Sequence, residues 1–116
     1  MIIPGSQRIL LATRPVDFRR GHDALAATAA LELGVDIHSG VIVVFRSKRG
    51  DRLKMLAWDG TGLVLVYKRL EQGRFAWPGI RDGAMRLTRG QFEALFEGLD
   101  WRRVHAPPAI RPLVAE

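Results

Sequence analysis

Apolar positions fall into short runs separated by glycine, proline and clustered charge, a rhythm that favours strands over long helices. Residues 8–13 read Arg, Ile, Leu, Leu, Ala, Thr and stop where Arg14 and Pro15 bar simple continuation, as a buried first strand would. Residues 41–45 are β-branched and apolar, Lys48, Arg49, Gly50 and Asp51 form a turn, and Leu53, Met55 and Ala57 then alternate with Lys54, Leu56 and Trp58. That pattern is a β-hairpin. A second turn, Asp59 to Gly62, leads into residues 63–68, where Leu63, Leu65 and Tyr67 share one face and Val64 and Val66 the other, so both faces are covered as in a central strand. Glu71, Gln72 and Gly73 turn the chain into a short strand at 74–77 that Pro78 ends, and residues 84–87 offer one more.

Two segments break this rhythm with helical spacing. From Asp17 or His22 to Glu32, Leu25, Ala27, Thr28 and Leu31 recur on one side, alanine is abundant, and Gly34 suits the position just past a helix end. Thr88 with Gln91 three residues later has the form of a capping box, after which Phe92, Leu95, Phe96 and Leu99 line one face and Gly98 closes the helix. Core packing explains that stripe without any cofactor, since each such side chain stabilises a fold by roughly 1.5 to 3 kcal/mol when buried. The expected fold is α+β: a mostly antiparallel sheet of five or six strands with a β-meander at its centre, and two helices. Its 116 residues suit a single domain over 1–103, followed by a tail at 104–116 that carries Pro107, Pro108 and Pro112 and is expected to be flexible.

Composition narrows the chemistry. There is no cysteine, which excludes disulfides, thiolate metal sites and a cysteine nucleophile and suits a reducing, cytoplasmic interior. No run of eighteen apolar residues suggests a membrane span, and the first residues do not read as a secretory signal. His22, His38 and His105 are isolated, without the spacing that gathers imidazoles on one metal. Asp17, Asp51, Asp59 and Asp82 could supply metal-dependent phosphoryl chemistry, but Asp51 and Asp59 sit in turns where aspartate serves local hydrogen bonds. Tyr67 reads as a core or cross-strand packing residue, not as a nucleophile, and Gly60-Thr61-Gly62 precedes a strand where a dinucleotide loop needs a helix. The expectation is therefore no catalytic residue, no cofactor, no metal and no small-molecule substrate.

Charge is the positive signal. Lys and Arg exceed Asp and Glu by 18 to 12, giving a formal net charge of +6, and most of the basic residues are arginines, whose planar fork matches phosphate. Arg46, Lys48, Arg49, Arg52 and Lys54 crowd the first hairpin, and Lys68, Arg69 and Arg74 flank the turn after the next strand. Trp58, Phe75 and Trp77 are interspersed with this charge, where aromatics either stack on bases or pack internally. If about four of these cations each neutralised a duplex phosphate, log affinity would fall with log salt at a slope of roughly −3.6. The bland alternative is a solvated hairpin tip whose charge keeps strand edges from pairing.

The blocks Val44-Phe45-Arg46, Arg49-Gly50-Asp51-Arg52-Leu53-Lys54, Trp58-Asp59-Gly60 and Gly62-Leu63 resemble a known family, as does Tyr67-Lys68-Arg69-Leu70-Glu71 running through Gly73-Arg74-Phe75 to Trp77-Pro78. It is the TnpB, or second open reading frame, protein of insertion sequence 66 elements. Pro15 to Gly21, Leu87-Thr88, Gln91 and Glu97 to Trp101 are similar to that family's opening motif and closing helix, so the resemblance runs from about residue 8 to 103 in collinear order. His38 stands where bulkier apolar or proline residues are expected of that family, and the tail beyond Arg103 has no counterpart in it. The resemblance implies an accessory role in transposition of a bacterial element, beside a separate transposase; it does not imply the activity of the RNA-guided nucleases that share the TnpB label.

Three readings remain at the level of sequence. In the first, the protein is a non-catalytic accessory that grips DNA near the element's ends through Arg46, Lys48, Arg49, Arg52, Lys54, Lys68, Arg69 and Arg74. In the second, it docks on the transposase or another element-encoded protein through Phe75, Trp77 and Trp101 and makes no DNA contact. The third and weakest is a metal-dependent nuclease built around aspartates such as Asp59.

Overall fold

A computed structural model describes residues 7–79 and 83–104 of the chain. Its elements are β1 (Ile9–Ala12), α1 (His22–Leu33), β2 (Ile42–Arg46), β3 (Arg52–Trp58), β4 (Leu63–Arg69), β5 (Ala84–Leu87) and α2 (Arg89–Phe96), with single 3-10 turns at Ile37–Ser39 and Trp101–Arg103. They form an α+β fold on one five-stranded sheet in the order β4-β3-β2-β1-β5. The hairpins β2-β3 and β3-β4 and the pair β1-β5 are antiparallel. Only β1 and β2 run parallel, a pairing that needs a long crossover, which α1 supplies.

Both faces of the sheet are covered. On one, α1, the loop before it and the 3-10 turn after it bury Val16, Leu25, Ala29 and Ile37 against Phe45 and Leu56. On the other, α2, Trp101 and Phe75 close over Leu11, Val44, Met55 and Leu87. The covering explains the run of apolar residues in β2, which is buried from Ile42 to Phe45.

Helix ends follow their local chemistry. Gly34 ends α1 in the left-handed conformation, at φ 64°. Thr88 caps α2: its hydroxyl accepts from the Gln91 amide at 3.1 Å, while the Gln91 side chain accepts from the Thr88 amide at 2.9 Å.

Four expectations need correction. Residues 63–69 form an edge strand, not a central one, because layers on both sheet faces produce two apolar strand faces whether or not the strand has a second neighbour. Residues 74–77 are not a strand. They run as a strap held by side chains, with the Trp77 indole N–H donating to the Ala12 carbonyl at 2.9 Å and the Trp101 indole N–H to the Ala76 carbonyl at 2.7 Å. In α1 the inward residues are Leu25, Thr28 and Ala29, while Ala27 is exposed and Leu31 is 85 % exposed; alanine on every side leaves little periodicity to choose a face. Leu99 also points outward, beyond the end of α2. Asp82, His105 and the tail at 105–116 lie outside the described residues.

Candidate nucleic-acid interface

The two basic turns meet at one end of the sheet. The β2-β3 turn is held by the Gly50 amide donating to the Ser47 carbonyl at 3.0 Å, with Gly50 at φ 81°, a conformation that favours glycine. The chain leaving β4 is joined to this turn twice: Leu70 N–H donates to the Asp51 carbonyl at 2.9 Å and Phe75 N–H to the Gly50 carbonyl at 2.8 Å. The Arg74 stem passes over Gly50, within about 3.7 Å of where a β-carbon would stand. Lys48, Arg49, Arg69 and Arg74 are exposed around this end and Arg52 is half-buried among them.

The ladder sets two of these cations directly against each other. Arg52 stands directly opposite Arg69. The Leu70–Asp51 bond, and the Asp59 N–H donating to the Gly62 carbonyl at 3.1 Å at the other end, fix the phase of the alternation. Arg52 and Arg69 thus fall on a non-hydrogen-bonded pair, where opposed Cα atoms approach to about 4.5 Å and like charges destabilise. Arg52 donates to the Tyr67 hydroxyl at 3.0 Å, and Arg69 has only an exposed 3.8 Å contact with Glu71. An anion bridging the two guanidinium groups would relieve the repulsion and accept from both forks.

Three of the eight basic candidates are positioned differently. Lys54 is 5 % exposed, and its ammonium donates at 2.7 Å to each of the Phe18 and Arg20 carbonyls, about 5 Å from the rings of Phe18 and Tyr67. Burial pushes its pKa down, opposed by the charge of Asp17. Lys68 donates to the Phe96 carbonyl at 2.5 Å and lies over that ring, tying β4 to α2. Arg46 is half-buried with its Nε unpartnered, and burial works against its charge. Of the aromatic candidates, Phe75 and Trp101 are core residues, and Trp77 packs partly buried against the same cluster. None of these three presents a free ring as an interface anchor would.

The loop before α1 contributes what sequence spacing could not reveal. Val16 N–H donates to the Arg46 carbonyl at 3.1 Å, which brings residues 15–20 beside the hairpin turn. A groove of about 570 Å³ runs between them, lined by Pro15, Val16, Asp17 and Phe18 on one side and Ser47, Lys48, Arg49, Asp51 and Arg52 on the other. Asp17 is gripped by Arg19 at 2.6 Å, whose hydrogen bonds hold that carboxyl well below its ordinary range. Asp17, ion-paired with Arg19, and Asp51 thus share the groove's wall with Lys48, Arg49 and Arg52.

Tyr67 departs from its expected packing role only in part. It stacks edge-on against Phe18 at 5.6 Å between centroids, yet it is 47 % exposed. Asp59 serves its turn as expected, accepting from the amides of Thr61 and Gly62, which lowers its pKa. Exposed His38 packs against Trp58 and pairs with Asp36 at 3.2 Å. Among the described residues, no group of three or more His, Asp or Glu could hold a metal ion, and no helix is long and apolar enough to cross a membrane.

Comparison with known proteins gives this surface a setting. The chain is 48 % identical over 105 residues to the uncharacterized protein y4jC of Sinorhizobium fredii, covering 90 % of each. It is 36 % identical over 113 residues to the uncharacterized protein y4hO of the same organism, covering 96 % of each. No solved structure matches the chain. The family model of IS66 Orf2 like proteins matches residues 7–106, which takes in every element of the fold, and the chain belongs to that family.

Proposed function

We propose that this protein is a non-catalytic accessory factor of insertion-sequence transposition that holds DNA by its phosphate backbone. Lys48, Arg49, Arg52, Arg69 and Arg74 make the contact in this reading. The observation that carries it is the Arg52–Arg69 pair, two cations set opposite each other at the closest register of the sheet. Lys54 and Lys68 leave the contact set because backbone carbonyls hold their ammonium groups. Contacts of this kind fix position on a duplex without reading its sequence, so recognition of particular ends falls to another component of the element, such as its transposase.

Fluorescence anisotropy with element-end and arbitrary duplexes across a salt series tests the proposal. Five cations on about four phosphates, with Arg52 and Arg69 sharing one, give a log–log slope near −3.6, and Arg52→Ala with Arg69→Ala removes about 0.9 of it. Unchanged slope and affinity in the double variant, with the fold intact by circular dichroism, would remove this surface from DNA contact. Docking on the transposase through Phe75 and Trp101 is weakened by their burial.

A further inference from the structure

The two edges of the sheet are unlike. β5 is four residues long and carries exposed Arg86, features that blunt an edge. β4 runs unbroken through seven residues, with no proline or bulge, every one in register with β3. The phase fixed by the Leu70–Asp51 and Asp59–Gly62 bonds gives residues 62, 64, 66, 68 and 70 to the β3 ladder. Leu63, Leu65, Tyr67 and Arg69 therefore turn their backbone N–H and C=O groups outward. Among the described residues no strand pairs with that side.

We infer that β4 is where two copies of this chain join, antiparallel, into one continuous sheet. Charge selects both the occupant and its direction. β4 is preceded by exposed Asp59 and followed by the basic pair Lys68 and Arg69 at its end. A parallel copy would stack the basic ends together, whereas an antiparallel copy carries each Arg69 toward the other copy's Asp59 turn. Centring the two-fold on Val66 uses the edge fully: Leu63 faces Arg69 of the second copy, Leu65 faces its Tyr67, and all four outward residues find partners. Val66 then meets Val66 in a non-hydrogen-bonded pair. The two Arg52–Arg69 pairs emerge on the same face of the joined sheet. Three residues on either side of the two-fold, at about 3.4 Å each, set the two Arg69 residues about 20 Å apart along the strands.

This inference is independent of DNA binding, and its test is made without DNA. Sedimentation equilibrium of the full chain is expected to give twice the 13.0 kDa of one copy. Leu65→Pro removes an outward N–H while leaving the β3 ladder whole, so dimer is lost and the cooperative melt remains. The absence of native cysteine makes cross-linking a clean register test. Val66→Cys brings two thiols together at a Cα separation of about 4.5 Å, within disulfide reach, and oxidation should link the chains. Leu63→Cys faces Arg69 and should not link. A single-chain mass at every concentration, or linking no better at 66 than at 63, overturns the inference.

Discussion

Arg52 and Lys54 stand two residues apart on the same face of β3, and the fold treats them in opposite ways. Lys54 lies under the loop before α1, and its ammonium is enclosed by the Phe18 and Arg20 carbonyls and two aromatic rings. Arg52, two residues nearer the hairpin tip, donates to the Tyr67 hydroxyl and stands opposite Arg69 in the ladder. The same division separates the rim of turns, with Lys48, Arg49, Arg52, Arg69 and Arg74, from the flanks behind it, with Lys68, Phe75, Trp77 and Trp101. A dense basic stretch in sequence is therefore two populations in space. One holds loops and helices to the sheet, and the other faces solvent.

The largest effect that would sharpen this division is on the flank. Trp101 is buried, and its indole N–H is bonded to the strap at Ala76. Trp101→Ala is expected to cost about 3 to 5 kcal/mol of stability in urea denaturation, through the cavity and the orphaned carbonyl. A loss below 1 kcal/mol would mean that this ring is not a core residue in solution, and would return it to the set of partner anchors.

Lys54→Met comes next. It keeps the length of the stem, removes the ammonium and leaves two carbonyls without that donor, at an expected cost of about 2 kcal/mol. The salt slope of DNA binding by the folded variant should match the parent. A reduced slope with an unchanged melt would break the comparison, since Lys54 would then behave as a rim residue.

Much of this architecture is legible in the sequence. Val41 to Lys68 reads as alternating strands and glycine turns because the period of two is written directly in Leu53, Met55, Leu63 and Leu65. Thr88 and Gln91 announced the start of α2 because a capping box is a local device. Apart from the alanine-rich α1, whose own composition hides its buried face, the failures share one cause, which is dependence on distant residues. Edge and centre are alike for β4 when both sheet faces are covered. The partners of Lys54 lie at Phe18 and Arg20, far upstream, and no spacing rule links them. Arg19 and Asp17 likewise reach the basic end only because Val16 is bonded to Arg46. For the aromatic residues, burial and exposure look the same in a string of letters; Phe75 and Trp101 are buried in the core, and Trp77 packs partly buried against it.

The smallest effect is the most specific to the rim. If Arg52 and Arg69 repel across a non-hydrogen-bonded pair, shortening one should not destabilise the sheet in the absence of an anion. Arg69→Thr keeps a residue at home in a strand and removes the like charge, giving up only an exposed contact with Glu71. At low salt the variant is expected to be as stable as the parent or more stable by a few tenths of a kcal/mol, the range open to surface changes. Added phosphate should then stabilise the parent more than the variant, because only the parent sets two arginines opposite each other in the ladder for one anion to bridge. A melt lowered by more than about 1 kcal/mol would show that Arg69 supports the fold, moving it from the rim to the flank.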